Sequence, residues 1–465
     1  MKRIIFVFVS ILSLIFLAAP AKAQEVNKFG IHILDPSEIN QAAQLVNSSG
    51  GDWGFATIVI RDDDRDFEKW QNFFDQCRQL HLVPLVRLAT HNENEAWVAP
   101  KKEEINSWVN FLVNLNWPIK NRYIIVFNEP NHAKEWGGKI DPPHYAQILD
   151  EFISQLKKAN PDFQVLPAGF DLAAPNSKTT KDALAFWQEM NKEVPGIFEK
   201  IDGWASHSYP NHGFLGKPQD SGRTSIRGYQ WELAILKSQF GVKKELPVFI
   251  TETGWPHQKT QNSNIKAKNF YSPELVAEYI ETAYKNVWLP DKKVVAVTPF
   301  TLNYQAEPLD VFSWFDNQGQ PYPQYERVKN LPKNAWWPQQ EEKWEILSIK
   351  FPQFMPINSS YEGKIVLKNT GQSIWGEKEA FVLKSNSPFF TDLSSDKKIL
   401  PGQSVEIPFL ILSGAESSPI NLSWQGIEKT ININVFNPAQ IKSYQDHFWQ
   451  KMLSLVRIWW YDKKN

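Results

Sequence analysis

Cysteine is almost missing from this chain: Cys77 is the only one in 465 residues, so no internal disulfide can brace the fold. An excess of either charge is missing too. Fifty Lys and Arg face 51 Asp and Glu, a formal net charge of −1, which argues against a nucleic-acid partner. The leading apolar stretch, Ile4 to Ala19, is about 16 residues, short of the ~20 a membrane-spanning helix needs. No Gly-x-Gly-x-x-Gly turn follows the first strand-like run, which disfavours an open doubly wound dinucleotide fold. Asp62, Asp63 and Asp64 form a charged run without the glycine and distal glutamate of an EF-hand, so they read as a solvated loop; no metal and no cofactor is expected. What the chain does have is aromatics, 20 Trp and 30 Phe, suited both to a large core and to stacking against sugar faces.

Lys2-Arg3, the apolar stretch and an Ala-x-Ala site ending at Ala23 make residues 1–23 a signal peptide, so the mature protein is expected to be secreted or at the cell surface. Beyond it the length suits one large domain and a smaller one. Strand-like apolar runs occur at 29–33, 55–60, 82–87, 123–127, 164–168, 203–207, 248–251 and 294–298. Between them lie amphipathic helical patterns, one through Ile105, Trp108, Val109 and Leu112, another through Tyr145, Ile148, Leu149 and Phe152. A third opens on Ser272 as N-cap with Pro273 at the first helical position. Cys77 shares a helical face with Trp70, Phe73 and Phe74 and is expected in the core rather than as a nucleophile. Eight strand–helix units over residues 24–333 predict an α/β fold, a (β/α)8 TIM barrel.

Two of those strands end in a carboxylate. Glu129 follows Tyr-Ile-Ile-Val-Phe-Asn128 and precedes Pro130; Glu252 follows Val-Phe-Ile-Thr and precedes Thr-Gly-Trp255-Pro256. A buried charge costs several kcal/mol unless it is used or paired, and barrel active sites lie at the C-terminal ends of strands. Strands four and seven can bring both carboxyl groups to one bond, an arrangement suited to glycoside hydrolysis.

Asn128-Glu129-Pro130 on strand four together with Thr-Glu252-Thr-Gly-Trp on strand seven resembles the retaining glycoside hydrolases of clan A. The resemblance covers roughly residues 28–333. It implies Glu129 as acid/base, Glu252 as nucleophile and Asn128 as partner of the sugar 2-hydroxyl. The Trp-Ala-Ser-His207-Ser-Tyr209-Pro segment is similar to the strand-six His-x-Tyr of that clan, where the tyrosine touches the nucleophile. Arg61, ending strand two, and Tyr209 are the candidate donors that keep Glu252 anionic. His32 is a candidate for a sugar hydroxyl; Trp255, Trp136 and Trp314 are candidate stacking platforms, with Tyr304 on the same face. Glu-Thr-Gly-Trp-Pro resembles the strand-seven motif of family 17, whereas Asn-Glu-Pro with His-x-Tyr looks more like families 5 and 39. A polysaccharide or oligosaccharide with a β-glycosidic bond is the expected partner. The competing function is a non-catalytic glycan-binding or adhesive surface protein.

After a Pro-containing stretch at 334–342 that reads as a linker, short β-like runs over 343–437, separated by turns such as Asn-Thr-Gly and Pro-Gly-Gln, predict an all-β, Ig-like sandwich. Residues 438–465 form an aromatic-rich amphipathic helix with Lys442, Lys451, Arg457, Lys463 and Lys464. It has two readings: docking onto the rest of the chain, or contact with a membrane surface.

Overall fold

The structure is a computed structural model that describes residues 25–258, 270–352, 354–386, 390, 393–413, 419–432, 434–436 and 438–462. The expected signal peptide lies outside the described residues.

The eight apolar runs are eight strands: β1 (Gly30–His32), β2 (Gly54–Arg61), β3 (Leu82–Ala89), β4 (Arg122–Val126), β5 (Phe163–Pro167), β6 (Trp204–His207), β7 (Val248–Glu252) and β8 (Val294–Val297). All pair in parallel, β1 to β5 in one sheet and β6 to β8 in another, each strand beside its sequence neighbour. Single parallel bridges span both seams, Asp171 to His207 between the fifth and sixth segments and Phe29 to Val297 between the first and eighth. Helices separate the strands: α1 (Ile39–Val46), α2 (Phe67–Gln79), α3 (Ile105–Asn114), α4 (Pro142–Ala159), α5 (Ala183–Glu193), α6 (Ile197–Lys200), α7 (Gly228–Phe240) and α8 (Pro273–Ala283), with α9 (Pro323–Lys329) after the last strand. Ser272 caps α8 through Leu275 N–H at 3.3 Å and Pro273 occupies its first turn, because that position has no helical acceptor to lose.

Both strand faces are covered, which explains why the runs are apolar without alternation. Outward residues such as Ile58, Val86, Ile124 and Val165 join the helix stripes, Cys77 among them, in a large core. Phe55, Leu85, Ile125, Leu166, Ala205, Phe249 and Ala296 meet in a second, smaller cluster that draws on seven of the eight strands. The strands thus share side chains in this cluster, and the charged groups described below lie beyond it, toward the C-terminal strand ends.

The remaining chain is antiparallel β for the most part. β9 (Trp344–Lys350), β11 (Ser360–Asn369) and β14 (Ser404–Leu412) form one sheet. β12 (Phe381–Ser385), β13 (Leu393–Ser395), β15 (Pro419–Trp424) and β16 (Ile427–Asn432) form another, while β10 (Phe354–Pro356) pairs in parallel with β17 (Asn434–Phe436). A separate core, including Trp344, Ile365, Trp375, Phe381, Ile407 and Leu422, lies under these strands. Residues 334–342, expected as a linker, lie along the parallel region: Trp336 Nε1 donates to Trp53 O at 2.7 Å and Lys120 N–H to Gln339 O at 2.8 Å. His81 reaches across, 2.7 Å from Asp52 and 3.4 Å from Glu377. These contacts sit just before β2, β3 and β4, at the end of the strands opposite to Glu129 and Glu252.

The final helix, α10 (Pro438–Asp462), leaves much of its apolar surface open among the described side chains. Phe448, Trp449, Met452, Leu453, Leu455 and Val456 are all exposed. Among the described residues no helix is long and apolar enough to cross a membrane.

Candidate active site

Glu252 is the last residue of β7, and Glu129 lies three positions beyond the end of β4. The backbone around Glu129 is held in an uncommon shape: Phe127 has φ 68° and Glu129 φ 29°, in the region that side chains disfavour. Glu129 N–H donates to Gly169 O at 3.1 Å, tying the loop to the end of β5. Gly169 also makes room, since a Cβ there would come within 2.1 Å of the His207 ring.

His207 joins the two carboxylates. Its Nδ1 lies 2.9 Å from Glu129 Oε1 and 3.7 Å from Glu252 Oε2. One oxygen of each glutamate and a ring nitrogen of His207 all fall within 4.8 Å of one another. Burial alone would lower the His207 pKa, but the Glu252 charge and the hydrogen bond to Glu129 raise it overall, favouring an imidazolium. Arg87 Nη1 donates both to Glu252 Oε1 and, at 2.7 Å, to Asn128 Oδ1. Tyr209 donates its hydroxyl to Glu252 Oε2 at 3.2 Å; burial first, then the negative charge of Glu252, hold its pKa well above the ordinary value, so it keeps its proton. His32 Nε2 stands 3.9 Å from Glu252 Oε1, and burial and Arg87 lower its pKa to about 3, leaving it neutral. Burial pushes the Glu252 carboxyl up, yet the His207 and Arg87 cations outweigh it and bring it down to about 2. Glu252 is therefore an anion at neutral pH.

Glu129, His207 and Glu252 also form a set of atoms close enough to hold a metal ion. The donor chemistry fits poorly. Arg87 already places a fixed cation on Glu252, and an imidazolium cannot ligate a metal until it loses its proton.

The group opens into a cavity of about 940 Å³ whose wall includes Asn128, Glu129, His132, Glu135, Asp171, Tyr209, Glu252 and Tyr304. Trp70, Trp97, Phe127, Phe214, Phe300 and Phe312 supply aromatic surface. Of the residues picked out in the sequence, Glu129, Glu252, Asn128, His207, Tyr209 and His32 converge on one point, and Tyr304 and Arg61 line the cavity. Arg61 does not touch Glu252: its side chain is 49 % exposed and pairs with Asp63 at 2.8 Å. The guanidinium on Glu252 belongs to Arg87. Trp255, Trp136 and Trp314, expected as platforms, are sealed at 2 % exposure. Trp255 Nε1 donates to Gly216 O at 2.7 Å and Trp136 Nε1 to His144 Nδ1 at 3.2 Å, so their polar edges are used inside the protein. Asp62, Asp63 and Asp64 pair with His91, Arg61 and Lys69 in turn.

From the sequence, Arg87 stands beside Arg61 only in the alternative reading of two salt-bridged carboxylates and is not named as a donor to the nucleophile, while Gly169 as the seat of His207 and Glu135 are missed. Register could have pointed to the first. Arg87 pairs with Val59 and Arg61 with Ala89, so Arg61 stands two residues further out along its strand.

No family model matches the chain, and no curated protein matches it by sequence. Solved structures to which the chain is similar include a monomeric β-xylosidase from Caulobacter crescentus CB15, 14% identical over 84% of this chain and 98% of that one, TM-score 0.46. Another is a calcium-binding mutant of Bacteroides uniformis β-glucuronidase 2, 11% identical over 89% of this chain but 46% of that one, TM-score 0.45. A third is a β-glucanase from Saccharophagus degradans in complex with cellotetraose, 15% identical over 65% of this chain and 86% of that one, TM-score 0.40. At these identities and scores the likenesses add no argument about chemistry, which rests on the site itself.

Proposed function

We propose that this chain is a retaining β-glycosidase acting on a polysaccharide or oligosaccharide, with Glu252 as nucleophile and Glu129 as acid/base. The observation that carries the reading is the close approach of the two carboxylates, with one oxygen of each inside the 4.8 Å cluster. Retaining enzymes hold the pair roughly 5 to 5.5 Å apart, whereas inverting enzymes need about 6.5 to 9.5 Å to fit a water between them.

Electrostatics assigns the nucleophile. Glu252, held anionic by Arg87 and His207, attacks the anomeric carbon through one oxygen while the bond to the leaving oxygen breaks. Glu129 accepts from His207 through Oε1, leaving its other oxygen to carry the proton that it gives to the leaving group. The ester so formed has no negative charge on Glu252, and Glu129, now a carboxylate, takes a proton from the water that attacks the same carbon. Glu252 leaves as a carboxylate and the starting state returns. Tyr209 and Arg87 receive the charge at both of its appearances without having to reorganise.

The same reading takes the two parallel sheets as a closed (β/α)8 barrel over residues 24–333 and the antiparallel region over 343–437 as an Ig-like sandwich. The leader in the sequence makes the enzyme an exported one. The test is hydrolysis of a panel of β-glucans, mannans and xylans by wild type, Glu252→Ala and Glu129→Ala. Wild-type cleavage of at least one, lost by about 10⁴-fold or more in Glu252→Ala, is the expected outcome. Wild-type rate in Glu252→Ala, or no cleavage by the wild type, sinks the proposal.

A further inference from the structure

A third carboxylate lines the cavity and has no part in the double displacement. Glu135 closes the short turn Ala133–Glu135 after β4, and its side chain is only 10 % exposed. Its ion pair is with the exposed Lys134, at 3.8 Å. Its hydrogen bond is with Asn128, whose Nδ2 donates to Glu135 Oε2 at 3.3 Å. A carboxylate buried with so little compensation is costly unless it acts on its neighbour.

We propose that Glu135 is a positioning residue that fixes the carboxamide of Asn128, with Oδ1 toward Arg87 and Nδ2 toward the cavity wall. The inference rests on the glycosidase reading, in which Asn128 meets a sugar hydroxyl. Its physical basis is that one neighbour of the amide has a single role. A guanidinium only donates, so the atom facing Arg87 must be oxygen, which turns the nitrogen of the same amide to Glu135, whose Oε2 accepts from it. The reversed amide would place donor against donor at Arg87. With both ends specified, one Nδ2 hydrogen serves Glu135 and the second remains for substrate.

The arrangement also extends to the nucleophile. Arg87 Nη1 is shared between Asn128 Oδ1 and Glu252 Oε1. Glu135, Asn128, Arg87 and Glu252 form a single chain of hydrogen bonds along the cavity wall.

The test uses the full-length protein with an aryl β-glycoside that the wild type cleaves and the matching 2-deoxy glycoside. Glu135→Ala should lower kcat/KM for the first about 10-fold or more, chiefly in kcat, and change it for the 2-deoxy substrate by less than about threefold. Glu135→Gln, whose amide oxygen can still accept from Asn128, should recover to within about threefold of wild type on both. Equal loss on both substrates, an unchanged Glu135→Ala, or a Glu135→Gln as impaired as Glu135→Ala overturns the proposal. Should the wild type cleave no glycoside, the glycosidase reading fails on its own. Crystal structures of wild type and Glu135→Gln or Glu135→Ala then decide: an Asn128 amide that loses its Arg87 contact only in the alanine variant upholds the positioning role, and one unmoved in both refutes it.

Discussion

The parallel region and the C-terminal helix use tryptophan in opposite ways. Trp136, Trp255 and Trp314 follow strands four, seven and eight, where ligands of such folds usually sit, yet each is 2 % exposed and packed inside. Trp449 on α10 is 61 % exposed beside an equally open Phe448. Abundance of an aromatic therefore says little about what it does. What decides is whether neighbouring backbone folds over the ring and accepts its N–H, as Gly216 O does for Trp255.

The comparison breaks first at its buried end. Trp255→Ala should cost about 3–5 kcal/mol of stability, since it empties a site closed by Tyr279 and the Gly216 carbonyl. Urea unfolding followed by circular dichroism measures this. A loss under about 1 kcal/mol would mean that the ring is not part of the core and would restore it as a platform.

The same contrast of sealed and open applies to two arginines on adjacent strands. Removing Arg87 leaves Glu252 without its guanidinium in a nearly buried site, and Arg87→Ala should reduce kcat/KM by about 10²-fold or more. Arg61→Ala removes only an exposed pair with Asp63 and should change the rate less than about threefold unless the cavity rim binds substrate through it. Steady-state rates on one substrate settle the order. Equal losses would return Arg61 to the role expected for it from the sequence.

Much of this site was legible because its signals are local. A continuously apolar run marks a strand covered on both faces, and a carboxylate at its end is conspicuous, as at Glu129 and Glu252; His207 and Tyr209 come only from the resemblance of their segment to the strand-six His-x-Tyr of clan A. Arg61 was preferred to Arg87 because each follows an apolar strand, and only the pairing of Val59 with Arg87 shows which one reaches inward. Gly169 gives no signal in sequence. Its role depends on a histidine from the next strand passing where its Cβ would be. The platforms failed for a related reason: a ring after a strand can turn to the cavity or to the helices, and the choice is made by loop geometry. In the antiparallel region the sequence shows five β-like runs, at 363–367, 380–383, 405–412, 420–424 and 430–435; β9, β10 and β13 lie outside them, and in β9 a shift of register between Ile346 and Ser348 breaks the alternation.

The smallest expected effect lies at the exposed end of the comparison, and for that reason it tests the comparison most sharply. If α10 is open as it stands, Trp449→Ala should change stability by no more than about 0.5 kcal/mol, because little contact is lost and alanine is the better helix former. Activity on soluble substrate should be unchanged, since α10 contributes no residue to the cavity wall. Thermal unfolding at two protein concentrations is the measurement. A loss above about 1 kcal/mol that grows with concentration would show that copies of the chain cover the helix in solution, whereas the same loss at both concentrations would show that it packs within its own chain. Either result would make Trp449 a buried tryptophan like Trp255, and the difference between the two regions would disappear.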